Sequence, residues 1–318
     1  MRALRTHSAG VDVHKEVILV TTLVGPADED PKEEIFECST MTDDLMGMGR
    51  ILLDKGIREV AMESTGVYWR PLYNVWTPMG INVTVGNAHH MKNVPGRKTD
   101  VKDSQWIAHL HRMGFIKPSF IPEPIFQRLR QLSRHRTNMV GDLARVKNRV
   151  QKVLEDGNIK WSSIVSDTFG VAGVRILREI ADGVTTAKTL AAHATTNIKR
   201  KEDAEKALKN YLTTEHCIVI KSLMNQYDFL LHEIQQIENE MSEKMVPYAH
   251  LIAELDKIPG IDKVLAMSIL AEATTRINAF ADERKFAAWA GVAPGNNESA
   301  NKKKDQSVEK GIPISEKF

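Results

Sequence analysis

The residues best suited to chemistry lie in the stretch 87–112, where basic side chains surround two carboxylates. Asp100 and Asp103 stand three positions apart, between a Pro-Gly turn signal and a helix predicted over Gln105 to Met113. Because positions i and i+3 share a helix face, both carboxylates can point at one spot. Two hard oxygen ligands in a basic setting suit Mg²⁺ beside a phosphate. The alternative is a pair that only caps the helix.

Two more acids stand beside predicted strands. Asp12 lies near the end of the first of two strand candidates that we expect to form a hairpin, and Glu63 follows a short apolar strand. A buried carboxylate without a partner is costly, so an acid in or beside an apolar strand needs a reason. For Glu63 the alternative reason is structural, because a hydrogen-bonded acid can hold the turn that follows its strand.

These acids are positioned by a predicted α/β sheet domain over residues 1–117. Its order is β-β-β-α-β-α-β-α, read from β-branched runs and helical periodicity. The predicted elements before the 105–113 helix are strands Ala9–Val13, Glu16–Leu23, Glu33–Cys38, Arg58–Met62 and Ile81–Val85, and helices Thr42–Lys55 and Tyr68–Trp76.

Composition indicates an ordinary globular chain without membrane or disulfide features. The 318 residues are 42% hydrophobic and 26% charged, with a net charge of +2. No apolar run approaches about 18 residues, and the N-terminus lacks the apolar region of a signal peptide. The two cysteines are far apart, without metal-ligand spacing. We therefore expect a cytoplasmic protein without a membrane span.

Beyond a proline-marked linker, residues 118–250 are predicted to be mainly helical. Two segments, Leu129 to Val153 and Ile220 to Met241, place apolar residues at alternating steps of three and four. This spacing predicts a coiled-coil arm, paired within one chain or with a second subunit. Arg136 interrupts the first seam, where it either specifies the register or marks a frayed end.

The first of these helices is strongly basic, although the whole chain is nearly neutral. This distribution predicts local contact with a polyanion, and a merely solvated helix face is the alternative. The residues expected to reach RNA or DNA phosphates are Arg128, Arg145, Lys147, Arg149 and Lys152.

Residues 251–318 are predicted to form a small helical domain with a polar tail. Leu255 to Leu270 is typical of a helix-hairpin-helix unit around a Pro-Gly turn, but Asp262 replaces the usual second glycine and weakens a direct phosphate contact. A helix is predicted over Phe280 to Trp289. By itself, the polar run around Ser299 reads as a flexible loop, since a serine hydroxyl needs activation before it can act as a nucleophile.

Three motifs together resemble the DEDD transposases of bacterial insertion sequences, the family numbered one-ten with its eleven-eleven subgroup. They are GVDVHK at residues 10–15, AMESTGVYW at 61–69, and the long block NAHHMKNVPGRKTDVKDSQWIAHL from residue 87. The resemblance runs from about residue 9 to about residue 304. It implies an RNase H-like, Holliday-junction-resolvase-like (RuvC-like) fold in the first domain. It also implies that Asp12, Glu63, Asp100 and Asp103 hold Mg²⁺ or Mn²⁺.

The resemblance further implies a DNA recombinase that acts on donor and target DNA, guided by a structured RNA, as a homodimer or tetramer. In that family a serine corresponding to Ser299 forms a covalent phosphoserine link to DNA. The expected phosphate-binding residues nearby are Arg97, Lys98, Lys302, Lys303 and Lys304. The chain departs from the family pattern at Asn301, where glycine is usual, and in its last residues, so a C-terminally truncated copy is expected.

Two other functions stay open at this stage. One is a metal-dependent junction nuclease in which water attacks the phosphate and the serine is incidental. The other is a non-catalytic nucleic-acid-binding remnant, which would bind in a salt-dependent way and cleave nothing.

Overall fold

The protein is described from a computed structural model, which covers residues 2–64, 66–87, 91, 103–194, 203–276, 278, 280, 282–290, 298–299 and 302–303. The chain divides into two compact units. One unit comprises Met1–Ile121 together with Ala279–Phe318, and the other comprises Pro122–Asn278.

A mixed five-stranded sheet forms the centre of the first unit. Its strands are β1 His7–Val13, β2 Val17–Val24, β3 Lys32–Ser39, β4 Glu59–Glu63 and β5 Asn82–Gly86. Their spatial order is β3-β2-β1-β4-β5. The first three strands are antiparallel neighbours, whereas β1, β4 and β5 run parallel to one another. The predicted α/β sheet and its β1–β2 hairpin are both confirmed.

Helices cover both faces of this sheet. Helices α1 (Thr42–Asp54) and α2 (Trp69–Trp76) pack on one face over an apolar core that includes Val11, Val60 and Leu72. The indole of buried Trp76 donates a 2.8 Å hydrogen bond to the Leu45 carbonyl and so ties α2 to α1. Helix α3 (Asp103–Met113) lies on the opposite face over a smaller core. The sheet is therefore buried on both sides, as its parallel half requires.

Two long helices dominate the second unit. Helix α4 spans Pro124–Asp156, and α8 spans Thr214–Lys244. Between them lie the shorter α5 Val171–Ala181, α6 Ala187–Ala191 and α7 Ala204–Ala207. The start of α4 shares a core with the end of α8, and the end of α4 shares another with the start of α8. The two helices are therefore antiparallel and pack against each other within one chain.

The predicted interruption of the apolar seam has a structural explanation. Arg136 donates a 2.7 Å hydrogen bond from its Nε to the Glu238 carboxylate on α8, and both side chains are mostly buried. A charge at this position is therefore paired across the two helices. The register role considered from the sequence agrees with this contact, whereas the supercoil of a coiled coil stays a prediction.

The remaining helices follow the Val246–Tyr248 turn: α9 Ala249–Asp256, α10 Lys263–Ala273 and α11 Glu283–Ala290. Gly260 adopts a positive φ of 90° in the turn between α9 and α10, as expected for the Pro-Gly signal. Asp262 caps α10 by accepting a 2.7 Å hydrogen bond from the Leu265 amide, so this acid has a local structural use. The last helix begins at Glu283, three residues after the predicted start.

No helix in the described part of the chain is long and apolar enough to cross a membrane.

Candidate active site

Asp12 and Glu63 lie on the same edge and the same face of the central sheet. Strands β1 and β4 are parallel neighbours, and their last paired residues, Val11 and Met62, directly precede the two acids. Side chains alternate along a strand, and Val11 and Met62 both point into the core beneath α1 and α2. The two carboxylates therefore face the opposite side, which is the side covered by α3.

Helix α3 brings Asp103 to this face because it packs unusually close to β1. A Cβ atom added at Gly10 would lie only 2.6 Å from the Ala108 Cα, and closer still to the Ala108 nitrogen and the Ser104 carbonyl oxygen. Only glycine permits this approach of helix backbone to strand. Asp103 is the first residue of α3 and directly precedes Ser104, so this acid lies beside the close approach to β1.

The charges of Asp103 and Glu63 act on Asp12. Burial raises the pKa of Asp12 above its usual value, and the neighbouring Asp103 and Glu63 carboxylates raise it further. His14 opposes both effects, because its Nε2 lies 3.1 Å from the Asp12 Oδ2. The ionised form of Asp12 is therefore destabilised in the fold, and a nearby cation would stabilise it.

The chemistry of these side chains fits a hard divalent cation. Mg²⁺ prefers carboxylate oxygens as ligands, and the carboxylates of Asp12, Glu63 and Asp103 lie on one side of the sheet. Among the residues that the structure describes, no three His, Cys, Asp or Glu side chains are close enough to hold a metal together. The fourth predicted ligand, Asp100, lies outside the described residues, as do Arg97 and Lys98.

Ser299 lies in a short antiparallel hairpin of two-residue strands, β6 (Glu298–Ser299) and β7 (Lys302–Lys303). Its backbone pairs with Lys302, and Glu298 pairs with Lys303. The predicted basic neighbours are thus next to the serine along the backbone, while Lys304 lies outside the described residues. This hairpin belongs to the same compact unit as the sheet.

The basic residues of α4 divide into two groups. Arg134 donates two 2.7 Å hydrogen bonds to the Glu272 carboxylate, and buried Arg130 donates a 3.2 Å bond to the Ala271 carbonyl. These arginines join α4 to α10, an internal role that periodicity alone did not reveal. The five predicted phosphate-binding residues lie elsewhere on the helix.

Those five residues are mostly accessible. Arg128, Arg149 and Lys152 are exposed, and so is Arg145, which forms an exposed ion pair with Asp142. The Lys147 ammonium is partly buried, 5.2 Å from the centre of the Phe169 ring. Its charge therefore makes a cation–π interaction with an aromatic ring within the same unit.

Sequence reasoning missed the residues that hold α3 on the sheet. Gly10 was part of a quoted motif without an assigned purpose, and the Ser104–Thr21 and Ser8–His111 hydrogen bonds were not anticipated. A glycine two positions before Asp12 was the available signal, since glycine in a strand often marks close approach of another backbone.

Two family models match the chain. The DEDD transposase model of IS110 elements matches residues 9–159, which include all four acids, and the model described as Transposase IS116/IS110/IS902 family matches residues 252–313, which include Ser299. No curated protein matches the chain. The chain therefore contains two segments that match transposase domains of the IS110 type, which supports the function of an insertion-sequence transposase.

Proposed function

We propose that this transposase recombines DNA through a metal site on the central sheet and a covalent link to Ser299. The observation that carries the proposal is the placement of Asp12, Glu63 and Asp103 on one face of one sheet, with Asp12 electrostatically coupled to the other two. Asp100 completes the set by its position three residues before Asp103. The mixed sheet with acids on adjacent parallel strands supports an RNase H-like fold for residues 1–117.

In this mechanism Asp12, Glu63, Asp100 and Asp103 would hold Mg²⁺ or Mn²⁺. A divalent cation bound to these acids would neutralise the negative charge that develops on the phosphate oxygens. The Ser299 oxygen attacks phosphorus and forms a new O–P bond, while the bond from phosphorus to one deoxyribose oxygen breaks. A carboxylate of the set accepts the serine proton, and the departing oxygen takes a proton from water. Lys302 to Lys304 add positive charge near the phosphate.

The guide RNA, the oligomeric state and the two DNA substrates are proposed from the family resemblance, and the surface of the second unit supports the RNA contact. Exposed basic residues on α4 support phosphate contact with a structured guide RNA, because cations on one accessible helix bind a polyanion without reading its sequence. The proposal also includes assembly as a homodimer or tetramer, and action on donor and target DNA in the cytoplasm. A helical arm over residues 118–250 and a serine domain over residues 251–318 complete the proposed organisation.

The test is to trap the covalent intermediate. The protein is purified with its bound RNA, the RNA is sequenced, and the matching labelled DNA is added with Mg²⁺ before denaturing electrophoresis. We expect a protein–DNA adduct that persists in detergent, is absent from Ser299→Ala, and is retained by Ser307→Ala, a control serine of the same tail.

Other outcomes would replace the proposal. Cleavage that leaves free 5′-phosphate ends, without any adduct, would identify a nuclease in which water attacks. Salt-dependent binding without cleavage in Mg²⁺ or Mn²⁺ would identify a nucleic-acid-binding protein that has lost catalysis.

A further inference from the structure

Helix α3 meets the sheet through a row of three contacts on one helix face. Ser104, Ala108 and His111 follow one another at steps of four and three, so they share the face that lies on β1 and β2. Each touches a residue of the sheet. In order along the helix the partners are Thr21, Gly10 and Ser8.

The two outer contacts are buried hydrogen bonds. The hydroxyls of Ser104 and Thr21 lie 2.9 Å apart, and both side chains are fully buried. At the other end, the Ser8 hydroxyl lies 2.9 Å from the Nδ1 of His111, which is 2% exposed. Burial lowers the pKa of His111 to about 3, helped by the nearby Arg5 charge, so the ring is neutral at physiological pH. The unprotonated nitrogen of a neutral ring can accept a hydrogen bond from the Ser8 hydroxyl.

The central contact does not by itself fix the helix along its axis. Ala108 lies over Gly10, and neither residue carries a side chain large enough to interlock with the other. A smooth contact of this kind fixes the distance between helix and strand but not the position of the helix along its own axis. The directional hydrogen bonds on either side therefore help to set the axial register, together with the apolar packing of Ile107 and Leu110.

We propose that Ser104 and Thr21 are positioning residues that hold the start of α3, and with it Asp103, in register with Asp12. Ser104 follows Asp103 directly, so its Cα is about 3.8 Å from that of the acid. Thr21 pairs with Gly10, two residues before Asp12 on the adjacent strand. The hydrogen bond thus joins the helix that carries Asp103 to β2, the strand that pairs with the one that carries Asp12. This inference rests on the proposed metal site.

The experiment compares two ends of the same helix. Ser104→Ala removes the bond beside the acids, and Ser8→Ala removes the matching bond at the far end. For each purified full-length variant, thermal unfolding and DNA cleavage across a Mg²⁺ titration are measured, with the cleavage assays run well below the melting temperature.

We expect both substitutions to lower the melting temperature to a similar degree, because each breaks one buried hydrogen bond. Only Ser104→Ala should raise the Mg²⁺ concentration for half-maximal cleavage, by about tenfold, the lower end of the loss caused by removing partners of metal ligands. Ser8→Ala should leave that concentration within about twofold of the wild type.

Variants of Thr21 provide an independent check in case Ser104→Ala does not fold. Thr21→Val keeps the side-chain shape without the hydroxyl and should shift the Mg²⁺ dependence as Ser104→Ala does, whereas Thr21→Ser keeps the hydroxyl and should restore the wild-type value. Equal Mg²⁺ dependence in the valine and serine variants would overturn the positioning role. Wild-type protein that cleaves without any Mg²⁺ or Mn²⁺ dependence would instead refute the proposed metal site itself.

Discussion

Gly10 offers the sharpest test of how the fold positions the acids. Replacing it with alanine places a Cβ atom 2.6 Å from the Ala108 Cα, whereas ordinary contacts begin near 3.4 Å. The obstructing atoms belong to the helix backbone, so no side-chain rotation can relieve the clash. Helix α3 must therefore retreat from β1 by at least about 0.8 Å, the difference between the two distances.

The expected cost follows from this displacement. Overpacking a core usually costs about 1–3 kcal/mol, and a backbone clash belongs at the upper end, about 3 kcal/mol. For a unit of this size, that loss corresponds to a decrease in melting temperature of about 6–12 °C. A misplacement of about 1 Å at a reacting group can cost about 10²-fold in rate, so DNA cleavage by Gly10→Ala should fall by about that factor.

The matched control is Gly47→Ala within helix α1, where an added Cβ meets nothing within 4 Å. This change should stabilise the protein slightly, because alanine favours a helix over glycine by up to about 1 kcal/mol. Differential scanning fluorimetry and the cleavage assay measure both variants side by side. A Gly10→Ala protein that melts and cleaves like the wild type would refute the close approach of α3 to β1.

Three further substitutions test other parts of the account. Glu272→Ala leaves buried Arg130 and half-buried Arg134 without their carboxylate and should cost about 3–5 kcal/mol in chemical denaturation. Asp228→Ala removes an exposed ion pair and should cost less than about 1 kcal/mol. The pKa of His111 falls from 6.5 to about 3 on folding, so only the unfolded state binds the extra proton as pH drops below 6.5. The free energy of unfolding at pH 5 should therefore be about 2 kcal/mol lower than at pH 8. His111→Leu should remove this loss, and the control His109→Gln should retain it. The raised pKa of Asp12 changes stability in the opposite direction, because its ionised form destabilises the fold as pH rises above the usual 3.8. Metal-free Asp12→Asn should therefore melt at a higher temperature than the wild type at pH 7. Mg²⁺ should abolish this difference, because it binds only the wild type.

Much of the first unit was predictable from local patterns. The two strands and the helix that carry Asp12, Glu63 and Asp103 are confirmed within two residues, because β-branched runs and helical periodicity are strong local signals. Parallel pairing of β1 with β4 was not predictable in the same way, since it joins segments about 50 residues apart. That pairing is what puts two of the acids side by side.

Contacts between distant elements were the main information missing from the sequence. Arg130 and Arg134 lie in the basic first long helix, and they bind the Ala271 carbonyl and the Glu272 carboxylate on a helix that begins more than 100 residues later. Nothing in the spacing around Glu272 marks it as their partner. Similarly, the Ser104–Thr21 hydrogen bond joins residues whose types are common on any helix or strand.

The central claim is that scattered acids of the first unit bind one divalent cation, and a Mn²⁺ titration followed by electron paramagnetic resonance tests it most directly. We expect saturable Mn²⁺ binding by the wild-type protein, competed by Mg²⁺, and loss of that binding in Asp12→Asn and Asp103→Asn separately. Asp54→Asn, at the end of helix α1, should bind Mn²⁺ like the wild type. Undiminished Mn²⁺ binding in both Asp12→Asn and Asp103→Asn would contradict the claim.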